Sequence, residues 1–489
     1  GLDDAYRFAR GEQVMASSGQ PAKLGRPLDW LVIADHSDAM GFFNDLAAGE
    51  PEIIKYDQAK PWYEGLQAGG EASVEAALSL ITTFSQGDID PEMIAEYSPG
   101  GKTYASIWER VVDAAEQFND PGHFTAFIGF EWTSLVAGNN LHRNVIFREG
   151  AAKAGQVLPY TTAESFNPED LWKWMENAEA KTGGKVLTLA HNGNMSNGII
   201  FPVERNPATG ARLGSDYMEA RIRWEPLYEV TQIKGDGETH PFLSPEDEFA
   251  DFETLALGNL NLTAVKEDDM LQYEYAREAL KNGLAMEEKF GTNPFKFGMV
   301  GSSDTHTALA AVEEENYIGK HAGTEPSPER WEHPMAKFAG RQYDGFAMSA
   351  SGYAAVWATE NTREALWDAM MRKEVYATTG PRITVRFFAG WDFTEADANS
   401  RLPAEAGYRK GVPMGGDLQN APDGKAPTFL VAALKDSLSG NLDRIQVVKG
   451  WLDDDGNTHE KVYNVVWGDA ERRSLDADGK LPPVGNTVD

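Results

Sequence analysis

Phe297-Gly298-Met299-Val300-Gly301-Ser302-Ser303-Asp304-Thr305-His306 decides how this chain is read. An apolar run ends in polar residues and delivers an Asp and a His two positions apart. Alternate residues of a strand share a face, so both side chains can reach one metal centre. The layout recurs upstream. Trp30-Leu31-Val32-Ile33-Ala34 runs into Asp35-His36, Phe127-Ile128-Gly129-Phe130 into Glu131, and Val186-Leu187-Thr188-Leu189-Ala190 into His191. Four apolar runs ending in Asp, Glu or His predict a hydrolytic metal site at the carboxyl edge of a parallel sheet or barrel.

Between these strands the chain alternates with helices, so the fold class is α/β. Asn167-Pro168-Glu169-Asp170 supplies a cap, a Pro at the first helical position and an acidic first turn, and Gly183-Gly184 stops the helix. The pattern predicts helices over 3–11, 168–182, 266–289 and 362–374. It predicts strands over 29–34, 124–131, 144–147, 185–190, 228–233, 296–301 and 375–378. Residues 43–122 read as a partly helical insertion over the barrel mouth, and 310–355 as a loop-rich lid. Beyond about 385, runs at 383–388, 428–432, 444–448 and 461–467 sit between Gly, Asp and Pro turns. The expected division is therefore a barrel over 1–385 and a β-rich C-terminal module over 386–489.

The 489 residues are 42% hydrophobic and 25% charged, which is an ordinary globular composition. No apolar stretch approaches the length of a membrane span. With no cysteine, disulfides, thiolate metal sites and cysteine nucleophiles are excluded. Lys plus Arg number 44 and Asp plus Glu 76, a formal net charge of −32. That field repels nucleic acid and anionic membranes. It is read as a solubility or salt adaptation, and anionic substrates need local cations to invert it. There is no P-loop, no nucleotide-binding Gly fingerprint and no Gly-x-Ser-x-Gly elbow.

Each candidate has a plain structural alternative. Asp304 and His306 are metal-ligand candidates, although Ser302, Ser303, Asp304 and Thr305 are all helix-cap formers. His36 is a candidate ligand, and Asp35, on the opposite face, could orient one. Glu131 is expected to bridge two cations about 3.5–4 Å apart, with Gly129 allowing close approach on the same face. His142, in Gly138-Asn139-Asn140-Leu141-His142-Arg143-Asn144, is a ligand, a general acid or a surface histidine. Arg143 could clamp an anionic oxygen. His191 is a further ligand candidate. Asn140, Asn192 and Asn194 are candidates for substrate contacts, or else simple turn formers. His240 follows a strand as well, while His123, His321, His333 and His459 read as surface residues.

The order Asp35-His36, Glu131, His142, His191, Asp304-Thr305-His306 resembles the PHP (polymerase and histidinol phosphatase) superfamily. More closely, Asp4-Ala5-Tyr6-Arg7-Phe8-Ala9-Arg10-Gly11, Leu24-Gly25-Arg26-Pro27-Leu28-Asp29, Asn139-Asn140-Leu141-His142-Arg143-Asn144-Val145 and Gly301-Ser302-Ser303-Asp304-Thr305-His306 look like the bacterial family catalogued as domain of unknown function 3604. The resemblance implies a distorted seven-stranded β/α barrel holding two or three divalent ions, Mn, Zn or Fe. It implies a phosphoesterase that hydrolyses a small anionic ester with a metal-bound hydroxide. His36, Glu131, His142, His191, Asp304 and His306 would be the ligands. Glu131, His142 and Arg143 would serve catalysis, with Asn140, Arg143, Asn192 and Asn194 on the substrate. Such families begin with a strand carrying His-X-His. No His precedes His36 here, so that segment is expected upstream of this sequence, and a barrel without it exposes two strand edges. The family suggests a periplasmic or otherwise exported protein, and the cytoplasm also fits. Alternatives are hydrolysis of a sulfate ester, amide or carbamate, or a non-catalytic envelope- or carbohydrate-binding protein with a relic site.

Overall fold

Two-residue alternation organises the central sheet. Its seven strands are β1 (Trp30–Ile33), β2 (Thr125–Trp132), β3 (Arg143–Phe147), β4 (Val186–Ala190), β5 (Leu227–Gln232), β6 (Gly235–Asp236) and β7 (Gly298–Gly301). They lie in the order β6-β5-β4-β3-β2-β1, with β7 on β5. The computed structural model describes residues 1–313, 316–320, 326–348, 351–477 and 479–486. The sheet curls into a half-barrel. On its inner face Phe127, Ile146, Leu187, Leu189, Leu227 and Val300 form one buried cluster. On its outer face Ile128, Phe130, Val145, Phe147, Val186 and Tyr228 belong to a second, larger one.

Helices cover the outer face. They include α1 (Leu2–Ala9), α2 (Lys102–Phe118), α3 (Pro168–Thr182), α4 (Ser215–Trp224) and α5 (Ala276–Phe290). Val111 and Ala115 of α2, Leu171 and Met175 of α3 and Met218 of α4 pack into the outer cluster. α3 is built as its sequence prescribes: Asn167 accepts from Glu169 N, Pro168 opens the helix, and Gly183 closes it at φ 66°. α6 (Arg363–Met371) instead contributes Leu366, Trp367 and Met370 to the inner cluster. None of the described helices is long and apolar enough to cross a membrane.

Three sequence expectations need correction. The sheet is mixed rather than parallel: β1 and β2, β4 and β5, and β5 and β7 run parallel, but β3 is antiparallel to both β2 and β4. The ten residues between β2 and β3 hold no crossover helix, and a connection that short returns the chain antiparallel. Second, the stretch 43–122 is not all insertion, since α2 is the crossover helix between parallel β1 and β2 and packs on their outer face. Third, the helix expected over 266–289 is broken into a 3-10 segment, Asp268–Tyr273, and α5. Tertiary hydrogen bonds claim the backbone at the break: Glu274 O accepts from the Tyr228 hydroxyl at 3.0 Å, and Ala276 N donates to Gly237 O.

The region 310–355 carries a hairpin, Pro334–Phe338 with Arg341–Asp344. Its Met335 packs with Met195, Ile233 and Leu255 from the loops after β4, β5 and β6. β8 (Tyr353–Val356) then pairs antiparallel with β9 (Val375–Thr378). The C-terminal strands form a three-stranded antiparallel sheet, Gly411–Pro413, Thr384–Gly390 and Thr428–Leu434, and a hairpin, Arg444–Leu452 with Thr458–Trp467. Ion pairs join them to the rest: Arg26 with Asp436, and Arg277 and Lys281 of α5 with Glu460.

Gly129 sits where β2 is crossed most closely. A Cβ there would stand 2.8 Å from Val145 O and 2.9 Å from Val32 Cγ1. Gly129→Ala is expected to lower the free energy of unfolding by about 1–3 kcal/mol through overpacking, measured by urea denaturation.

Candidate metal centre

The inner-face parity of each strand runs on into the site. Trp30 and Val32 lead to His36, Phe127 and Gly129 to Glu131, Leu187 and Leu189 to His191, and Val300 and Ser302 to Asp304. His36 continues the parallel pairing of β1 with β2 as a bridge to Glu131. Glu131 N donates to Asp35 O, and Ser37 N to Glu131 O, both at 2.8 Å. β3 enters from the opposite direction, so its ligand candidate, His142, precedes the strand instead of following it.

Glu131, His142 and His191 are buried, and one ligand atom from each lies within 4.8 Å of the others. His142 Nδ1 is 2.6 Å from Glu131 Oε1, and His191 Nε2 is 3.8 Å from the same oxygen. His36 Nδ1 stands 3.6 Å from Glu131 Oε2 and 2.7 Å from the Thr133 hydroxyl. His191 Nε2 is also 3.6 Å from Asp304 Oδ1. The His306 ring lies 5.9 Å from that of His36. Glu131, His142 and His191 thus converge, with His36 3.6 Å from Glu131, Asp304 3.6 Å from His191, and His306 beside His36. No helix follows Asp304, so it is not a helix cap.

The electrostatics suit a cation. Burial alone would raise the Glu131 carboxyl, but the imidazoles of His36, His142 and His191 outweigh it and hold the group well below its usual range. Burial pushes His142 down to about 4, which leaves the ring neutral with a lone pair to offer. Its Nε2 is buried without a hydrogen-bond partner among the described residues. A carboxylate and two neutral imidazoles are a donor set for Zn, Mn or Fe, so these residues fit a divalent ion.

Glu229 is a site residue that the sequence reading missed. It shares the inward face with Leu227, and its carboxylate oxygens are 2.8 and 2.9 Å from His191 Nδ1. It also accepts from the Ser302 hydroxyl. A carboxylate behind one imidazole nitrogen turns the other toward the ion. The signal was a Glu inside the apolar run of β5. Lys234 and Lys320 were missed as well. Lys234 Nζ contacts Asp304 Oδ2, and Lys320 Nζ lies 3.1 Å from the same oxygen and 2.7 Å from His306 Nδ1. Burial, with Lys320 adding to it, drives the Lys234 ammonium well below its usual range, against the pull of Glu131 and Glu229. Both lysines lie in loops, where no periodicity marks them.

Arg143 is not placed to clamp a substrate. It shares its face with Val145 and Phe147, away from Asn144 and Ile146, which line the cavity. Only 1% exposed, it donates from Nε to Glu225 at 3.0 Å and from Nη1 to Leu141 O at 2.6 Å. Arg221 Nη2 is 3.2 Å from the other oxygen of Glu225. The asparagines hold loops. Asn140 Nδ2 donates to the carbonyls of His191 and Asn192, at 2.6 and 2.8 Å. Asn194 Nδ2 donates to Lys234 O and Leu255 O. Asn192 Oδ1 accepts from Gln232, and its Nδ2 is buried without a partner among the described residues. Asp35 O accepts from Glu131 N, and Asp35 lines the same cavity as His36 and Glu131. His240 accepts from Phe242 N in a turn. His123 is exposed, His459 pairs with Asp453, and His321 lies outside the described residues.

The family model described as "Protein of unknown function (DUF3604)" matches residues 1–489, and the chain belongs to that family. No curated protein and no solved structure matches it.

Two substitutions separate holding the ion from holding the fold. Glu229→Gln is expected to weaken Zn or Mn binding by about 10–100-fold, read by titration calorimetry. Arg143→Ala is expected to lower unfolding free energy by about 1.5–3 kcal/mol, measured in urea, with ion affinity unchanged.

Proposed function

We propose that this protein is a metal-dependent hydrolase of the PHP type, acting on a small anionic ester, foremost a phosphate ester. The observation that carries the reading is the convergence of Glu131, His142 and His191, buried and within 4.8 Å, at one edge of the half-barrel. Glu131 and His191 border a cavity of about 1100 Å³ that His36, Asp304 and His306 also line. Glu131, His142 and His191 would hold one ion. His36, Asp304 and His306 are the donors left for the further ions that the PHP relation implies. Mn, Zn and Fe all suit this set of imidazoles and carboxylates. A divalent ion bound there lowers the pKa of a coordinated water and draws charge from the scissile group.

The chain's own residues do the rest. Glu229 fixes the His191 ring by holding Nδ1, so Nε2 faces the centre. Burial keeps His142 unprotonated at neutral pH. Glu131 has His36 near one oxygen and His142 and His191 near the other, so its two oxygens would be able to serve two cations. Lys234 and Lys320 favour an anionic ester over a neutral amide or carbamate. A buried ammonium is stabilised by a negative partner, and both lysines stand against one carboxylate oxygen, Asp304 Oδ2.

The test is a panel of p-nitrophenyl phosphate, sulfate and acetate with Mn, Zn or Fe supplied. Phosphate-ester turnover is expected, lost on chelation and regained when the ion returns. Glu131→Ala should lower kcat/KM by about 10²–10³-fold, the scale of losing one charge-stabilising group. An ion-loaded protein that hydrolyses none of the panel would overturn the reading.

A further inference from the structure

We propose that Thr133 is a positioning residue for the metal centre: its hydroxyl holds the His36 ring by Nδ1 and leaves Nε2 as the nitrogen that meets a divalent ion. The proposal rests on the reading of His36 as a ligand and deepens it.

Three observations carry it. The first is the bond itself. His36 Nδ1 and Thr133 Oγ1 are 2.7 Å apart, a full hydrogen bond. An oxygen that close shuts Nδ1 off from an ion. The hydroxyl has a single proton to give, and Oγ1 donates it to Glu131 O at 3.3 Å. Toward His36 it then accepts. Nδ1 therefore carries the hydrogen of the neutral ring, and Nε2 keeps the lone pair. His36 lines the cavity, so Nε2 is the nitrogen left to serve it.

The second observation is that the bond is anchored where the ring is not. Glu131 O also accepts from Ser37 N at 2.8 Å, so the residues after His36 and before Thr133 share one carbonyl. Ser37 is fully buried; its hydroxyl donates to Tyr160 O at 2.7 Å, and its carbonyl accepts from the Tyr104 hydroxyl at 3.0 Å. Thr133 is β-branched and stiff about its first side-chain torsion. The His36 side chain, by contrast, is 46% exposed, against 4% for His191. Packing does less to hold it, and its orientation depends more on this hydrogen bond.

The third is a pattern across the site. An oxygen also stands at Nδ1 of the two buried imidazoles: Glu229 at 2.8 and 2.9 Å from His191, and Glu131 at 2.6 Å from His142. Nε2 of His142 is buried without a hydrogen-bond partner among the described residues. Three rings from three strand ends are thus engaged at the same nitrogen. The buried pair have a carboxylate there, which strengthens a ligand as well as turning it. The exposed ring has a neutral hydroxyl, whose contribution is orientation.

The experiment is nitrogen NMR of the full protein with isotope-labelled histidine, using His36→Gln to identify the His36 signals and Zn as the ion. Without Zn, His36 is expected to carry its proton on Nδ1. Zn should shift Nε2 and leave Nδ1 protonated. Thr133→Val, which keeps the shape and removes the hydroxyl, should raise the Zn concentration needed for that shift by about 3–10-fold, the loss of one neutral hydrogen bond. It should also spread the metal-free proton over both nitrogens. Thr133→Ser should recover most of the affinity. Zn on His36 Nδ1, or a metal-free ring protonated on Nε2, would overturn the proposal in the unaltered protein, even if the Val variant failed to fold. Equal Zn affinity in a folded Val variant would overturn it too. Zn shifts at His142 and His191 with none at His36 defeat this proposal alone. No Zn shift at any of the three defeats the metal-dependent reading with it.

Discussion

The alternation of side chains along a curled sheet is the constraint on which the rest depends. A strand can bury two faces only if successive residues serve two different environments. Here the inner residues fill a small apolar cluster and the outer ones a large helix-covered cluster. At the sheet edge the inner series runs out of apolar residues and continues as His36, Glu131, His191 and Asp304. The metal-binding candidates are thus the last members of four inward-facing series. Their convergence follows from sheet curvature and register, and no single loop has to create it.

Buried charge is managed by pairing throughout. Glu225 sits between Arg143 and Arg221 under the outer face, and Glu274 is paired with Lys266 below the loop after β4. Breaking one partner of such a pair is far more destabilising than forming it is stabilising. These pairs therefore act as fixed points behind the site. Asn140 and Asn194 add to them by spending amide groups on loop carbonyls that would otherwise be buried unpaired.

Much of this was legible in the sequence, for a reason that also explains the failures. The strand ends carrying His36, Glu131, His191 and Asp304 were visible because period-two alternation and apolar runs are local signals. α3 was visible because Asn167, Pro168 and Gly183 encode its ends chemically. Arg143 was misread although its parity with Val145 and Phe147 was already in the sequence. The same parity would have found Glu229. The antiparallel course of β3 was hidden because an apolar run has no direction. Lys234 and Lys320 could not be found, since their roles come from loop packing across the chain. The break near Glu274 was invisible because hydrogen bonds with Tyr228 and Gly237, distant in sequence, override helix propensity.

The reversal of β3 has one further consequence. Glu131 is the last residue but one of β2 and His142 stands immediately before β3, so the two lie on one hairpin, eleven positions apart. His191 and Asp304 follow at much longer separations. Loop-closure entropy rises with the logarithm of the chain enclosed. The carboxylate and its nearest imidazole are therefore the least expensive pair in the centre to bring together, and their separation is fixed by one short ladder rather than by the closure of the whole sheet.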